Sequence, residues 1–358
     1  MTNAPIGIGL VGVGRAGGGM HVPALASRPE MFRIAAVCDV IAERRERIAS
    51  RFGCAVYERI EDLVVDPRVQ LVDISTRSCD HHRHARMALE AGKHVNIEKP
   101  LAASLIEATD LVSLARRSAG RLFVHHNRRF EPAFHHVLDV IASGVLGDVY
   151  EIKLRRAGYQ RRDDWQTLQA FGGGQLLNWG PHIVDHALRL LGAPVRDQWS
   201  LLRRIAALGD AEDHVKIVLR GTNGRVVDLE ISGAAALPEP EFTVWGGRGA
   251  LTCDGGVMKL KYLDPANPLE ARTAFAGTPG ASAPAAAAGA MWSPYVNPEP
   301  LHWVSESVPV APRSGADLTS IWDAIHADLA GATPFPVTLD ESLDVMRVIQ
   351  RARDDAVA

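Results

Sequence analysis

Apolar and β-branched residues gather in short runs through the first third of the chain, at Ile6 to Val11, Met31 to Asp39, Leu71 to Thr76, Lys93 to Ile97 and Arg121 to Val124. Runs of this length without polar alternation predict strands buried on both faces, as in a parallel sheet. Helical spacing fills the gaps. Ile41, Ile48 and Phe52 share one face among Arg and Glu residues, and Ser104 with Glu107 forms an S-x-x-E capping box ahead of Leu111, Val112 and Ala115. Strand and helix alternate to about residue 124, which predicts an α/β unit with a doubly wound parallel sheet over 1–124.

Beyond residue 124 the pattern changes. Val149 to Leu154, Val215 to Leu219, Arg225 to Ile231 and Phe242 to Trp245 alternate apolar with polar positions and have few helices between them. They predict a second, α+β unit over 125–358 built on an open, mainly antiparallel sheet. Residues 264–290 are rich in Pro, Ala and Gly and read as a surface loop, and no internal repeat is seen. Leu343, Met346, Val348 and Ile349 give Leu339 to Ala356 the spacing of an amphipathic helix that packs on the sheet.

A chain of 358 residues can bury cores of this kind without a metal or disulfide to hold them. With 39 Lys+Arg against 42 Asp+Glu, a net charge of −3 supplies no electrostatic case for nucleic acid. No apolar run approaches the ~20 residues of a membrane span, and a strand pattern that begins at Ile6 leaves no room for a leader. Cys38, Cys54, Cys79 and Cys253 lack C-x-x-C spacing and sit in or beside apolar stretches, which fits a reducing cytoplasm.

The first strand ends in Gly12-Val13-Gly14-Arg15-Ala16-Gly17, a G-x-G-x-x-G at a strand-to-helix turn. Glycines there permit the turn and let the backbone approach a pyrophosphate at a helix N-terminus. Asp39 ends the second strand 22 residues after Gly17. A carboxylate at that point accepts hydrogen bonds from the adenosine ribose and repels a 2′-phosphate, which favours NAD over NADP. Arg44 and Arg45, a turn later, leave NADP open.

Glu98-Lys99-Pro100 stands at the carboxyl end of the fourth predicted strand, the edge where open α/β sheets bind ligands, so Lys99 is placed to meet a substrate oxygen. Downstream, Gly172-Gly173-Gly174 leads through Asn178, Trp179, Gly180, Pro181 and His182 to Asp185 and a helix closing at Gly192. On a continuous helix Asn178, His182, Asp185 and Arg189 share a polar face, opposite Ile183, Val184, Ala187, Leu190 and Leu191. Pro181 bends that helix, and the glycines admit another backbone or a ligand at close range.

In this order the G-x-G-x-x-G, Asp39, Ala91-Gly92-Lys93-His94-Val95 before Glu98-Lys99-Pro100, Asn127-Arg128-Arg129-Phe130, Gly144-Val145-Leu146-Gly147-Asp148 and the Gly172 to Asp185 segment resemble the glucose-fructose oxidoreductase/inositol dehydrogenase (Gfo/Idh/MocA) family. The resemblance covers most of residues 6–192. It implies a Rossmann domain followed by an open antiparallel sheet, with homo-oligomers through that sheet. It also implies that Lys99 and His182 act on the reacting hydroxyl. Thr76, His81 and Glu98 would join Gly12, Gly14, Arg15, Ala16, Gly17, Asp39 and Lys99 around an NAD(P) cofactor. Arg161, Asp163 and Trp165 would join Lys99, Asn178 and His182 in the substrate pocket.

Two positions depart from the family pattern: Asn178 stands where its sugar and inositol dehydrogenases carry Asp, and Arg77 where many have Pro. Without that Asp, either His182 and Lys99 handle the proton alone or Asp185 serves as the carboxylate partner. No metal is expected, because His81, His82, His84, His125 and His126 lack Cys or Glu at ligand spacing. The function implied is hydride transfer between nicotinamide and a secondary alcohol or ketone of a sugar, polyol or inositol. The alternatives are redox-assisted elimination or hydrolysis of a glycoside with tightly held, recycled NAD, and a non-catalytic dinucleotide-binding regulator, which has no use for Lys99 and His182.

Overall fold

The computed structural model describes residues 4–271, 301–311 and 316–357. Its first sheet is parallel and contains β1 (Ile6–Val11), β2 (Phe32–Cys38), β3 (Ala55–Tyr57), β4 (Leu71–Ile74), β5 (His94–Glu98) and β6 (Leu122–His125), in the order β3-β2-β1-β4-β5-β6. The order reverses between β1 and β4, which opens a crevice at the carboxyl ends of the strands. Five of these strands fall on the apolar runs. The sixth, β3, has three residues, none of them buried, so nothing requires it to be apolar on both faces.

The helices of this unit are α1 (Val22–Ala26), α2 (Ala42–Phe52), α3 (Ile60–Val64), α4 (His81–Glu90) and α5 (Leu105–Ala115). Ser104 caps α5 with the expected reciprocal box: its hydroxyl accepts from the Glu107 N–H while the Glu107 carboxylate accepts from the Ser104 N–H.

After α6 (Pro132–Ala142) the second sheet begins with β7 (Val149–Ala157), and α7 (Gln175–Asn178) and α8 (Gly180–Leu191) follow. The chain continues through β8 (Val195–Arg203), β9 (His214–Gly221), β10 (Val226–Ser232), β11 (Phe242–Gly246), β12 (Gly249–Asp254), β13 (Val257–Leu263) and β14 (Trp303–Pro309). The strand order is β14-β13-β12-β11-β7-β10-β9-β8, with every neighbour antiparallel except β7 and β10. The alternating stretches became β7, β9, β10 and β11. The edge strands β8 and β14 bury almost nothing and so leave little apolar signal.

Two apolar cores follow. One runs without a break from α3, α4 and α5 through α8 to the inner face of the second sheet, and α10 (Leu339–Val357) closes it with Leu343, Met346, Val348 and Ile349. The other lies on the opposite face of β1 and β2, where α9 (Ala316–Leu329) brings Ile321, Trp322 and Ile325 back onto the first sheet. The 264–290 stretch lies outside the described residues from 272 onward. No described helix is long and apolar enough to cross a membrane.

Candidate active site

The glycine turn is shaped by contacts that exclude side chains. Gly12 takes φ +85°, and a Cβ there would lie 2.9 Å from the Ser75 carbonyl oxygen. A Cβ on Gly17 would run into the Gly12 carbonyl, whereas one on Gly14 would meet nothing nearer than the Arg44 guanidinium at 3.6 Å. The backbone is thus open on the Gly14 side, and this cradle fits a dinucleotide phosphate. Arg15 is exposed beside it, and the chain winds through a π-helical turn, Gly17–His21, into α1.

Asp39, at the end of β2, is buried. Its carboxylate accepts from the N–H of Val13 at 2.8 Å and of Ile41 at 2.9 Å, which ties the glycine turn to the ribose side. Arg44 approaches the same carboxylate at 3.8 Å, and Arg45 donates to the Asp39 carbonyl.

His21, four residues past the last motif glycine, is fully buried between two carboxylates. Its Nδ1 lies 2.9 Å from Asp73 on β4 and its Nε2 3.1 Å from Glu98 on β5. Burial alone would lower the imidazolium's pKa, but Asp73 and Glu98 outweigh it and raise the group to about 10. Burial likewise works against ionised Glu98, yet the His21 hydrogen bond and the Lys99 charge hold its carboxyl far below the usual range. Among the described residues, His21, Glu98 and His125 bring donor atoms within 4.8 Å of one another. The centroids of the two imidazole rings lie 4.3 Å apart, with the planes tilted by 32°. His21 pairs with Asp73 and Glu98 in an ion network at the start of Glu98-Lys99-Pro100.

Lys99 is half-buried, and its Nζ donates to the carbonyl oxygen of Asn178 at 2.9 Å. Burial lowers the pKa of its ammonium, Glu98 opposes that, and the positive charges of Arg15, Arg128 and Arg162 lower it further. His182 is buried on α8, and its Nδ1 has no hydrogen-bond partner among the described residues. Burial first, then Lys99, Arg128, His126 and His186, push its pKa well below the ordinary value, so the ring is neutral.

The continuous polar helix face expected over Asn178 to Arg189 is broken, because α7 stops at Asn178 and α8 restarts at Gly180. Asn178 therefore meets Lys99 through its backbone. Asp185 binds the guanidinium of Arg129, with Nε at 3.0 Å. The three glycines admit close neighbours from separate segments: a Cβ on Gly172 would lie 3.1 Å from the Ser78 side chain, one on Gly173 2.7 Å from the Leu168 backbone, and one on Gly174 would enter the Glu212 carboxylate.

The remaining sequence candidates are placed as follows. Buried His81 lies between the Pro100 carbonyl, 2.7 Å from Nδ1, and the Thr76 carbonyl, 3.2 Å from Nε2, and so joins the two loops. The Thr76 hydroxyl lies 3.1 Å from His84 Nδ1. Arg161 is exposed and donates to the Ala206 carbonyl at 3.2 Å, Asp163 is exposed, and Trp165 is half-buried. It is Arg162, paired with Asp164, whose charge reaches Lys99. Sequence reasoning passed over His21, Arg162, Arg156 and Arg128, although Arg128 belongs to the Asn127-Arg128-Arg129-Phe130 motif. The only mark of His21 was a lone imidazole in an apolar segment.

Residues 6–126 match a family described as an oxidoreductase family with an NAD-binding Rossmann fold, and residues 134–252 match the Gfo/Idh/MocA C-terminal domain. An oxidoreductase of Escherichia coli, YdgJ, whose activity is uncharacterized, is 32% identical over 73% of this chain and 72% of its own length. The scyllo-inositol 2-dehydrogenase (NADP(+)) IolW of Bacillus subtilis is 31% identical over 53% of this chain and 52% of its own length. The oxidoreductase yvaA of Bacillus subtilis superposes with a TM-score of 0.81 at 20% identity, covering 100% of this chain and 97% of that one, which shows the shared fold.

Proposed function

Since the chain belongs to the Gfo/Idh/MocA family of oxidoreductases and carries its NAD(P)-binding Rossmann domain, we propose that it moves a hydride between nicotinamide and a secondary alcohol or ketone of a sugar, polyol or inositol. The observation that carries this reading is the pairing of a cation and a neutral imidazole on one wall: Lys99 Nζ rests on the Asn178 carbonyl, and His182 follows four residues later. The inositol specificity of the Bacillus relative supports the substrate class.

Bound nicotinamide supplies the hydride acceptor or donor. The protein's own groups do the rest. Gly12, Gly14, Arg15, Ala16 and Gly17 receive the pyrophosphate and Asp39 the ribose, while Thr76, His81 and Glu98 shape the loops around the cofactor. The Lys99 ammonium stabilises negative charge on the reacting oxygen. His182, kept neutral by burial and neighbouring cations, takes the hydroxyl proton during oxidation and returns it during reduction. Arg161, Asp163 and Trp165 lie along the loop that would border the substrate.

In this reading residues 1–124 bind cofactor and residues 125–358 bind substrate, with the latter lending α9 to the first sheet. The uncovered face of the second sheet exposes Trp199, Trp245 and Trp303, which supports association of like subunits there. Four free cysteines support a reducing, cytoplasmic setting.

The test is absorbance at the reduced-nicotinamide band, with NAD or NADP, against inositols, aldoses, 3-keto sugars and glycosides. The expected result is cofactor turnover with at least one alcohol or ketone. No change with either cofactor across the panel overturns the reading.

A further inference from the structure

The carbonyl that receives Lys99 stands at the end of α7, a helix of four residues, and a helix that short has too few internal hydrogen bonds to fix its own place. Its start is held by Glu212, two residues before β9. The Glu212 carboxylate accepts from the Leu176 N–H at 2.9 Å, and the Glu212 backbone carbonyl accepts from the Gln175 N–H at 3.0 Å. One residue therefore takes up the first two N–H groups of the helix. Gly174, at φ +102°, provides the room, because the Glu212 carboxylate fills the space where another residue would carry its Cβ. From that start the Asn178 N–H bonds to the Gly174 carbonyl and the Trp179 N–H to that of Gln175, each at 2.9 Å, and the Asn178 carbonyl takes the Lys99 Nζ.

The charges that lead in acting on Lys99 are those of Glu98, Arg15, Arg128 and Arg162, and Glu212 is not among them. Its connection to Lys99 is the hydrogen-bonded path through α7. The Glu212 carboxylate also feels the charge of Arg353 on α10, whose guanidinium donates at 2.7 Å to the carbonyl of Ala103, in the segment that follows Lys99. Both chain segments that flank the Lys99–Asn178 contact are thus tied from outside the cleft.

We infer that Glu212 is a positioning residue: by holding the start of α7, it fixes the Asn178 carbonyl that aims the Lys99 ammonium at the reacting oxygen. The consequence for turnover rests on the dehydrogenase reading. The consequence for Lys99 itself does not, and it can be measured without a substrate.

Two substitutions in the full-length enzyme separate reach from charge. Glu212→Gln keeps an acceptor oxygen at the same reach and loses the charge, whereas Glu212→Asp keeps the charge and, one methylene shorter, withdraws from the Leu176 N–H. Lys99 is read directly by its rate of acetylation with acetic anhydride near neutral pH, followed by peptide mass. An ammonium that loses its carbonyl acceptor is less stabilised, and a fall of about one pKa unit gives ~10-fold more free amine. Acetylation of Lys99 should therefore be ~10-fold faster in Glu212→Asp and within ~2-fold of the unmodified rate in Glu212→Gln, with NAD affinity within ~2-fold in both. With an alcohol or ketone that turns over, kcat should fall ~10-fold in Glu212→Asp and stay near the unmodified value in Glu212→Gln. An unchanged Lys99 rate in Glu212→Asp overturns the inference, as does a Glu212→Gln enzyme that behaves like Glu212→Asp, because the charge and not the hydrogen bond then matters. Loss of NAD binding in Glu212→Asp overturns it too, since Glu212 would then support the fold at large, and so does an unchanged kcat in an enzyme whose Lys99 rate has risen. If the acetylation rates follow the expected pattern and nothing in the substrate panel turns over, the dehydrogenase reading falls and the positioning of Lys99 by Glu212 stands.

Discussion

The Nζ of Lys99 donates a 2.9 Å hydrogen bond to the carbonyl oxygen of Asn178, so the end of β5 and the end of α7 meet in a single contact between the two sheets' sides of the cleft. That contact holds a cation beside His182 and makes the arrangement of both groups depend on how the two units pack.

Replacing Lys99 or His182 by Ala is therefore expected to lower turnover by roughly 10²-fold or more, the usual span for removing a positioned acid–base group. Cofactor binding should persist, because the glycine turn and Asp39 are untouched. Turnover under conditions where chemistry limits the rate, with a parallel cofactor titration, checks this; near-normal turnover in either variant removes that residue from the role assigned to it.

The Asn178→Asp variant should move the pH profile. A carboxylate near the imidazole favours the imidazolium, so the His182 pKa rises and the limb that reports it shifts to higher pH. In Asp185→Asn that limb should stay in place, because the Asp185 carboxylate is bound to Arg129. That second variant should instead lose about 1–3 kcal/mol of stability, because Arg129 loses one buried carboxylate partner while keeping Glu341. A limb that moves only in Asp185→Asn assigns the proton partner to Asp185.

His21 makes stability depend on pH in the alkaline range. Its folded pKa is raised from 6.5 to about 10, so between those values the folded state holds a proton that the unfolded state has released. The stabilisation is complete below pH 6.5 and is lost as pH rises towards about 10. Urea unfolding across that range should show falling stability in the unmodified protein and a flatter, lower curve in His21→Gln. An unchanged slope in the variant refutes the assignment.

Asp39→Ala should narrow the preference for NAD over NADP by removing ribose hydrogen bonds and repulsion of a 2′-phosphate. It also takes the acceptor from the Val13 N–H, so NAD affinity should fall as well. Binding titrations with both cofactors decide, and equal or tighter NADP binding by the unmodified protein contradicts the role.

Much of the scaffold was legible in the chain. Strands buried on both faces need continuous apolar runs, which marks β1, β2, β4, β5 and β6, while β3, β8 and β14 bury almost none of their residues and escape that requirement. The Ser104–Glu107 cap and α10 were equally visible, since both depend on spacings of a few residues. At the site, the positions of Lys99 and His182 were readable from motifs. Which atom of Asn178 meets Lys99 was not, because that depends on where the helix breaks.

By itself, the sequence determined the parallel and antiparallel units, the glycine turn and the order of the chemical motifs, since each is written in local periodicity or short spacing. Only the tertiary structure decided that His21 closes onto Glu98 across 77 residues, that Arg129 claims Asp185 across 56, and that Arg128 and Arg156 share Trp179. Whether a buried charge is paired, and with whom, follows from how sheets and helices stack, and a lone His, Arg or Asp has the same local pattern whichever partner the packing brings to it.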